Sequence, residues 1–324
     1  MPPKDAIGFG SLNVDLIFEV DDLSQLKVRG KKLETGGELF GTLKDFEGLL
    51  SQLEKDGRLR SRSPGGSAAN TMVALSRMGF DTGYIGKVGR DKEGEFIFQS
   101  MEGVDTSRVL KNAKSGMTAV LLDKARERTI LVLPNANDAL TFDEIDIDYA
   151  KKARFLHLTS FAGDVPTEAQ KELVERVHRE VKISFDPGEI HTQKGLAKML
   201  PVLKRSYVVF VTDREAHLLT GEDYMDGTRE LLSYGPSIVI CKLGARGSYV
   251  LTREEEFHVP PVKTKAVDKT GAGDVYAAGF LAGLLRNEHI MKCGLLATKA
   301  AALSIKGWGR DKYPDQALLE EGVG

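Results

Sequence analysis

Cysteine is nearly absent from this sequence. Cys241 and Cys293 are the two present in 324 residues and form no Cys-x-x-Cys pair, so neither a disulfide framework nor a thiolate zinc cluster is signalled. The six histidines are scattered without a His-x-x-x-His pair, which leaves a zinc hydrolase unsupported and makes each a surface or core residue. An excess of one charge is also missing. Lys plus Arg is 45 and Asp plus Glu is 47, a balance that supplies no field for gripping a phosphate backbone and excludes nucleic acid as an expected partner. Long apolar runs are lacking too: the longest, Val275–Leu285, is about half of the ~20 residues that cross a bilayer. The opening MPPKDAIGFG has no apolar stretch of the signal-peptide kind. The expectation is a cytoplasmic protein without a membrane partner. No repeat of fixed period and no low-complexity linker divides the chain. Its 41% apolar content suffices for a substantial core, and a single α/β domain over residues 1–324 is expected.

Ala6–Val20 (AIGFGSLNVDLIFEV) starts with β-type apolar residues and ends in period-two alternation, predicting a central strand that runs out into an exposed one. In TLKDFEGLLSQLEKDG, Thr42 and Asp45 have capping-box spacing, Leu43, Phe46, Leu50 and Leu53 share a helical face, and Gly57 can close the end. A second helix is predicted over Ser67–Met78, and Met117–Asp138 reads as a hairpin around a charged turn. Beyond Tyr149, short apolar strands (FLHLTS, KISFD, YVVFVT, SIVICKLG) alternate with helices, which argues a parallel sheet covered on both faces. Two early β segments, about 14–40 and 112–134, are expected to form a small lid.

Two glycine clusters carry the candidate chemistry. In DKTGAGDVYAAGFLAGLL (Asp268–Leu285), Gly271 and Gly273 let backbone N–H groups converge at the start of an apolar helix, whose N-terminus adds partial positive charge. This is an anion cradle, and Asp274 inside it would repel a bound anion. Two readings stay open for that acid: a base that deprotonates an attacking hydroxyl, or a plain helix cap. The second cluster, PGGSAANTMVALSRMG, also enters a helix directly; Gly65 and Gly66 permit close approach of a ligand, and Asn70 offers both donor and acceptor to a polyol. A tight entry turn is the plainer reading. A dinucleotide fingerprint fails because Tyr276 stands where its third glycine belongs and PVKTKAVDK is too polar for a central strand. No Gly-Lys-Ser/Thr P-loop and no Gly-x-Ser-x-Gly elbow occurs.

In this order, GSLNVD at Gly10–Asp15, GGSAAN, IGKVGRDKEGEF, LPNAND, CKLGARGS, DKTGAGD and the glycines of KGWGR resemble the ribokinase-like (PfkB) carbohydrate kinase family over nearly the whole chain. The resemblance implies a three-layer ribokinase-like α/β fold, with a central, mostly parallel sheet flanked by helices and a small β-sheet lid. It implies phosphate transfer from ATP to a hydroxyl of a sugar or sugar-like small molecule, with Mg²⁺. Asp274 would be the catalytic base, and Gly271, Ala272 and Gly273 the anion hole. Asp15, Gly65, Gly66 and Asn70 would hold substrate hydroxyls, while Lys242, Gly244 and Gly247 would face the nucleotide, with lysine where the family pattern has threonine. The family's Asn-x-x-Glu motif, which organises Mg²⁺, falls on Thr212-Asp213-Arg214-Glu215. Glu215 is kept as an indirect Mg²⁺ residue, and Thr212 stands in place of asparagine. Asp268, Thr270 and the backbone near Gly309 would serve a monovalent cation such as K⁺.

The acceptor is less defined. Arg58, Arg60 and Arg62 read either as a seat for a sugar phosphate or as a solvated loop face. PGGSAANT and the helical insertion at 42–56 are similar to the adenosine-kinase-like branch, where Phe40 or Phe46 would line a base slot; a nucleoside is therefore the alternative acceptor. A catalytically silent ligand-binding member is the third reading, which retention of Asp274 and both glycines opposes. A homodimer through the edges of the lid is a further expectation.

Overall fold

The computed structural model describes residues 3–33, 35–125 and 127–320. Seven mutually parallel strands make the body of a nine-stranded sheet. In spatial order they are Ile238–Lys242, Ser206–Thr212, Lys182–Asp186, Ala153–Thr159, Lys4–Phe9, Thr82–Val88 and Val104–Lys111. Ser248–Thr252 and Glu256–Val259 extend it antiparallel beyond Ile238–Lys242. The chain builds outward from Lys4–Phe9 in one direction, then restarts at Ala153–Thr159 and builds in the other. The crevice outside the carboxyl ends of these two strands is thus a topological switch point, where open α/β sheets place their ligands.

Parallel strands joined by crossovers need helices on both faces, and their residues are apolar on both sides. Phe155, Val208, Phe210 and Ile240 pack one face under the helices Ser67–Arg77, Ala272–Leu285 and Ile290–Ser304. Leu156, Ile183, Val209 and Cys241 pack the other under Asp164–Arg176, Leu196–Arg205 and Asp213–Thr220. The architecture is three-layered, a ribokinase-like α/β fold. Among the described residues, no helix is long and apolar enough to cross a membrane.

A separate five-stranded sheet has the order Glu38–Phe40, Arg128–Leu133, Gly116–Leu122, Asn13–Val20, Gly57–Gly65. Two features of it depart from the sequence reading. Ala6–Val20 is not one strand: it breaks after Phe9 and re-enters pairing at Asn13, so its halves belong to different sheets. Asn137 stabilises the break by accepting from Leu12 N–H (2.8 Å) and donating to the Leu12 carbonyl (3.0 Å) and Asn13 Oδ1 (2.9 Å). The second departure is Gly57–Gly65, a strand in place of a loop. Apart from Leu59, which is exposed, the alternation in RLRSRS is polar on both sides, so it carries no burial signal. Each arginine there instead pairs with an acid: Arg58 with Asp21 (3.6 Å), Arg60 with Glu19 (2.6 Å), and Arg62 with Glu93 (3.4 Å).

The helix Leu43–Asp56 opens with the Thr42–Asp45 capping box and covers the outer face of this small sheet. Phe46, Leu49 and Leu53 are its buried stripe, packed with Leu121, Leu131 and Leu133, whereas Leu43 is 46% exposed. Both sets fit the helical period, and packing against the small sheet selects 46, 49 and 53. Gly57 does follow the helix, with an extended backbone that passes straight into the next strand. On the inner face, Ile17, Val120, Leu122 and Ile130 pack with Trp308 of the body.

Candidate active site

The site forms where two helix N-termini meet at the carboxyl ends of the sheet. Ser67–Arg77 begins at Gly66, whose φ of 107° and whose approach to Ser11 (a Cβ would lie 2.2 Å from its carbonyl oxygen) admit only glycine. Ala272–Leu285 begins at Gly271, in the left-handed region at φ 77°. Its middle, Val275–Gly283, is buried throughout, so the turn at its mouth is anchored in the core. Two hydrogen bonds join the helices. Asn70 Nδ2 donates to Asp274 Oδ2 (2.8 Å), and Thr71 Oγ1 donates to the Asp274 carbonyl (3.1 Å).

The small sheet closes one side. Asp15 and Thr118 are cross-strand partners, as are Asp15 and Ser63, so all three present their side chains on the inner face. A Cβ on Gly65 would lie 2.3 Å from both Asp15 carboxylate oxygens, which shows how closely that carboxylate rests on the glycine backbone. Asp15 is 8% exposed, and burial pushes its carboxyl up to about 7, with Arg310 pulling the other way. Burial also raises Asp274, against the hydrogen bond from Asn70.

On the other side stands Lys242, at the carboxyl end of Ile238–Lys242. Its Nζ donates to Asp186 Oδ2 (2.6 Å) and lies 3.3 Å from where a Gly273 Cβ would be, against the first turn of the Asp274 helix. Burial alone would lower its ammonium, yet Asp186 and Glu215 together hold it above its ordinary value. Glu215 is itself pushed up to about 7 by burial, with Lys242 opposing. After Lys242 the chain turns through Gly244–Gly247, closed by Leu243 N–H donating to the Gly247 carbonyl (2.8 Å).

Thr212 has a defined structural job. It is the N-cap of the helix Asp213–Thr220: its Oγ1 accepts from Glu215 N–H (3.1 Å) while Glu215 Oε2 accepts from Thr212 N–H (2.8 Å). Asparagine and threonine both cap well, so the exchange keeps Glu215 in place.

The residues expected to bind a monovalent cation also meet. Asp268 accepts from Thr270 N–H (2.9 Å) and Gly309 N–H (3.3 Å), and Thr270 Oγ1 is buried without a hydrogen-bond partner within the protein. Asp15, Gly65, Asn70, Gly271, Gly273, Asp274 and Lys242 therefore surround one locus, while Glu215 reaches it through the charge of Lys242. Phe46 does not contribute, being buried on the far face of the small sheet.

Three residues of the site were missed. Asp186 ends the strand KISFD, and an acid closing an apolar strand is a readable signal. Asn137 lies inside LPNAND with nothing to mark its bond to Leu12. Arg310, in KGWGR, is 7% exposed and donates from Nε to Asn70 Oδ1 (3.0 Å). One charge in a polar loop gives no pattern to read.

Known proteins resemble this chain in sequence and in fold. A sequence model described as pfkB family carbohydrate kinase matches residues 44–312. An uncharacterized sugar kinase of Archaeoglobus fulgidus is 39% identical over 243 residues, which cover 73% of this chain and 96% of that protein. The ATP-dependent ribose-1-phosphate kinase of Halopiger xanaduensis is 32% identical over 272 residues, covering 82% and 88% respectively. Among solved structures, adenosine kinase from Sinorhizobium meliloti superposes with a TM-score of 0.88 over 99% of this chain and 100% of that one; at 22% identity this is a likeness of fold.

Proposed function

The chain belongs to the pfkB family of carbohydrate kinases, and on that premise we propose that it is an ATP-dependent sugar kinase with Asp274 as its base. The observation that carries the assignment of the base is the 2.8 Å hydrogen bond between Asn70 and Asp274, which unites the polyol-type cluster with the anion cradle. Asn70 occupies Oδ2 of the carboxylate, and Oδ1 takes the proton of the acceptor hydroxyl. The hydroxyl oxygen attacks the γ-phosphorus, the bond from that phosphorus to the bridging oxygen breaks, and ADP leaves. The first turn of the helix receives the charge of the transferring group. Because Ala272 N–H already donates to the Lys269 carbonyl (3.2 Å), the Gly273 amide is the stronger donor of the pair. Lys242, against that same turn, adds a fixed positive charge toward the nucleotide, and the Gly244–Gly247 turn brings backbone close to it.

Asp15, Asn70 and the Gly65 backbone form a polar wall suited to sugar hydroxyls. Ile17, Val120, Leu122 and Ile130 of the inner face are packed with Trp308 and Phe46 faces away, so this polar wall favours a polyol. Phe40, paired with Val132 on the same face and half exposed, is the residue that supports a nucleoside as the second reading. Among the described residues there is no cluster of three or more metal-ligating side chains. Mg²⁺ takes one or two carboxylates and otherwise phosphates and water. Glu215 and Asp186 are the residues to organise it, and when bound it neutralises charge on the transferring phosphoryl group. The orphaned Thr270 Oγ1, beside the Asp268 loop, fits a K⁺ ligand.

The small sheet acts as a lid over this single domain, excluding water that would otherwise hydrolyse ATP. Since Leu43–Asp56 covers its outer face, a homodimer through the lid uses the edge strands Glu38–Phe40 and Gly57–Gly65. Dependence on ATP suits a cytoplasmic location. The test is ADP release from ATP with sugars, sugar phosphates, sugar acids and nucleosides in parallel. Turnover confined to sugar-type acceptors is expected. Preference for adenosine would overturn the sugar reading, and tight acceptor binding with no turnover would make the protein a silent member.

A further inference from the structure

A carboxamide has an accepting end and a donating end, and turning it over exchanges them. Asn70 uses both: Nδ2 donates to Asp274 Oδ2 (2.8 Å) and Oδ1 accepts from Arg310 Nε (3.0 Å). A guanidinium can only donate, and an ionised carboxylate can only accept. Between these two neighbours, one orientation of the amide gives two hydrogen bonds and the reverse gives two repulsions.

Arg310 is well placed to impose that choice because it is itself held on three sides. Its Nη1 donates to the Ser100 carbonyl (2.9 Å), its own carbonyl accepts from Arg77 Nη1 (2.6 Å), and its side chain is buried beside Tyr84 and Tyr313. Its Nη2 is buried without a hydrogen-bond partner within the protein.

We propose that Arg310 is a positioning residue for the base: it locks the Asn70 amide so that Nδ2 faces Asp274, leaving the carboxylate hydrogen-bonded on one oxygen and directed at the acceptor with the other. The link is geometric and holds for the protein whatever its acceptor; its catalytic consequence rests on the kinase reading above. Without Arg310 the amide can invert, and a carbonyl oxygen facing Asp274 favours the protonated acid, which cannot act as a base. The other groups acting on Asp274 come from several elements. Lys242 and Arg128 favour its ionised form, Asp186 opposes it, and Asp15, Glu38, Tyr84 and Tyr313 are also coupled to it. Removing Arg310 also removes a positive charge near Asp15, so a readout on Asn70 itself is needed to separate the two effects.

The experiment compares full-length wild type, Arg310→Met and Arg310→Lys. The first readout is the ¹⁵N-resolved side-chain amide of Asn70, identified by its loss in Asn70→Ala and followed against pH. The second is kcat and KM against pH, with ATP and the acceptor that turns over best in the acceptor screen. In wild type the Asn70 amide protons should follow a titration step that Asp274→Asn abolishes. Arg310→Met should erase that coupling, move the acid limb of kcat to higher pH and lower kcat at pH 7 by on the order of 10²-fold, leaving the KM for ATP within about threefold. Arg310→Lys keeps a donor and should recover at least about tenfold of the loss and the Asn70 titration. An Arg310→Met protein with wild-type Asn70 titration and an unmoved acid limb would overturn the proposal. So would an Arg310→Lys protein that folds and loses activity as severely as Arg310→Met with the Asn70 signal unchanged. If Arg310→Met does not fold, Arg310→Lys against wild type decides: retention of the Asn70 titration with a loss of less than about tenfold supports the proposal, and a loss on the order of 10²-fold with the Asn70 titration unchanged overturns it. If no acceptor turns over, the kinase reading fails while the Asn70 readout still decides this one.

Discussion

Replacing Gly65 by alanine adds one methyl group, and its destination is known. The new Cβ would lie 2.3 Å from both carboxylate oxygens of Asp15 and 2.4 Å from its Cγ. Carbon and oxygen rest at roughly 3.3–3.6 Å even in close contacts, so the Asp15 carboxylate must retreat by about 1 Å. Gly65 ends a strand and is not among the glycines with positive φ, so alanine is tolerated by the backbone and the effect is local. A displacement of about 1 Å in a substrate-positioning group costs on the order of 10²-fold in rate, or about 2.7 kcal/mol. Steady-state kinetics should therefore show kcat/KM for the sugar acceptor falling about 10²-fold, with the KM for ATP within about threefold. A double-mutant cycle isolates the route. In an Asp15→Ala background the clash is gone, and Gly65→Ala should cost less than about threefold. Wild-type acceptor kinetics in Gly65→Ala, or an undiminished loss in the Asp15→Ala background, would refute the argument.

Two further outcomes follow from the same geometry. Thr212→Ala removes the acceptor for Glu215 N–H and should lower stability by about 1 kcal/mol, whereas Thr212→Asn should be near neutral; denaturant melts of the two variants check this. Asp15 carries the opposite sign. Its folded carboxyl sits near 7 and the unfolded one near 3.8, so ionisation favours the unfolded chain, and the stability linked to its protonation is full below about pH 4 and lost as pH rises through 7. Asp15→Asn should accordingly raise stability at pH 8 by on the order of 1–4 kcal/mol, with the gain vanishing near pH 4; an equal gain at both pH values would contradict the burial argument.

How much of this was legible in the sequence depended on whether a signal was local. The glycines before each helix, the Thr42–Asp45 capping box and the apolar strands after Tyr149 announce themselves within a few residues. Those signals were enough to pair Gly65–Asn70 with Asp268–Asp274. The break at Gly10–Leu12 was hidden because both halves of Ala6–Val20 are good strands, and the choice of sheet is made by Asn137, more than a hundred residues away. Gly57–Gly65 was hidden because it has no apolar stripe: it pairs with Asn13–Val20 through its backbone, and its arginines are met by acids at an exposed edge. Leu43 illustrates a smaller error of phase, since a stripe at 46, 49 and 53 fits the helical period as well as one that includes 43. Arg310 was hidden most thoroughly: its meaning lies in which end of Asn70 it touches, which exists only in three dimensions.

The claim on which the rest depends is that Asp274 removes the proton from the acceptor. Asp274→Asn keeps an oxygen for Asn70 to donate to and the shape of the site, so it tests the chemistry with little change in the scaffold. The decisive measurement is the single-turnover rate of phosphosugar formation at saturating ATP and acceptor, for wild type and Asp274→Asn. A fall of roughly 10²- to 10⁴-fold is predicted, with ATP affinity within about threefold of wild type. A rate within about tenfold of wild type would contradict the account and move the base elsewhere.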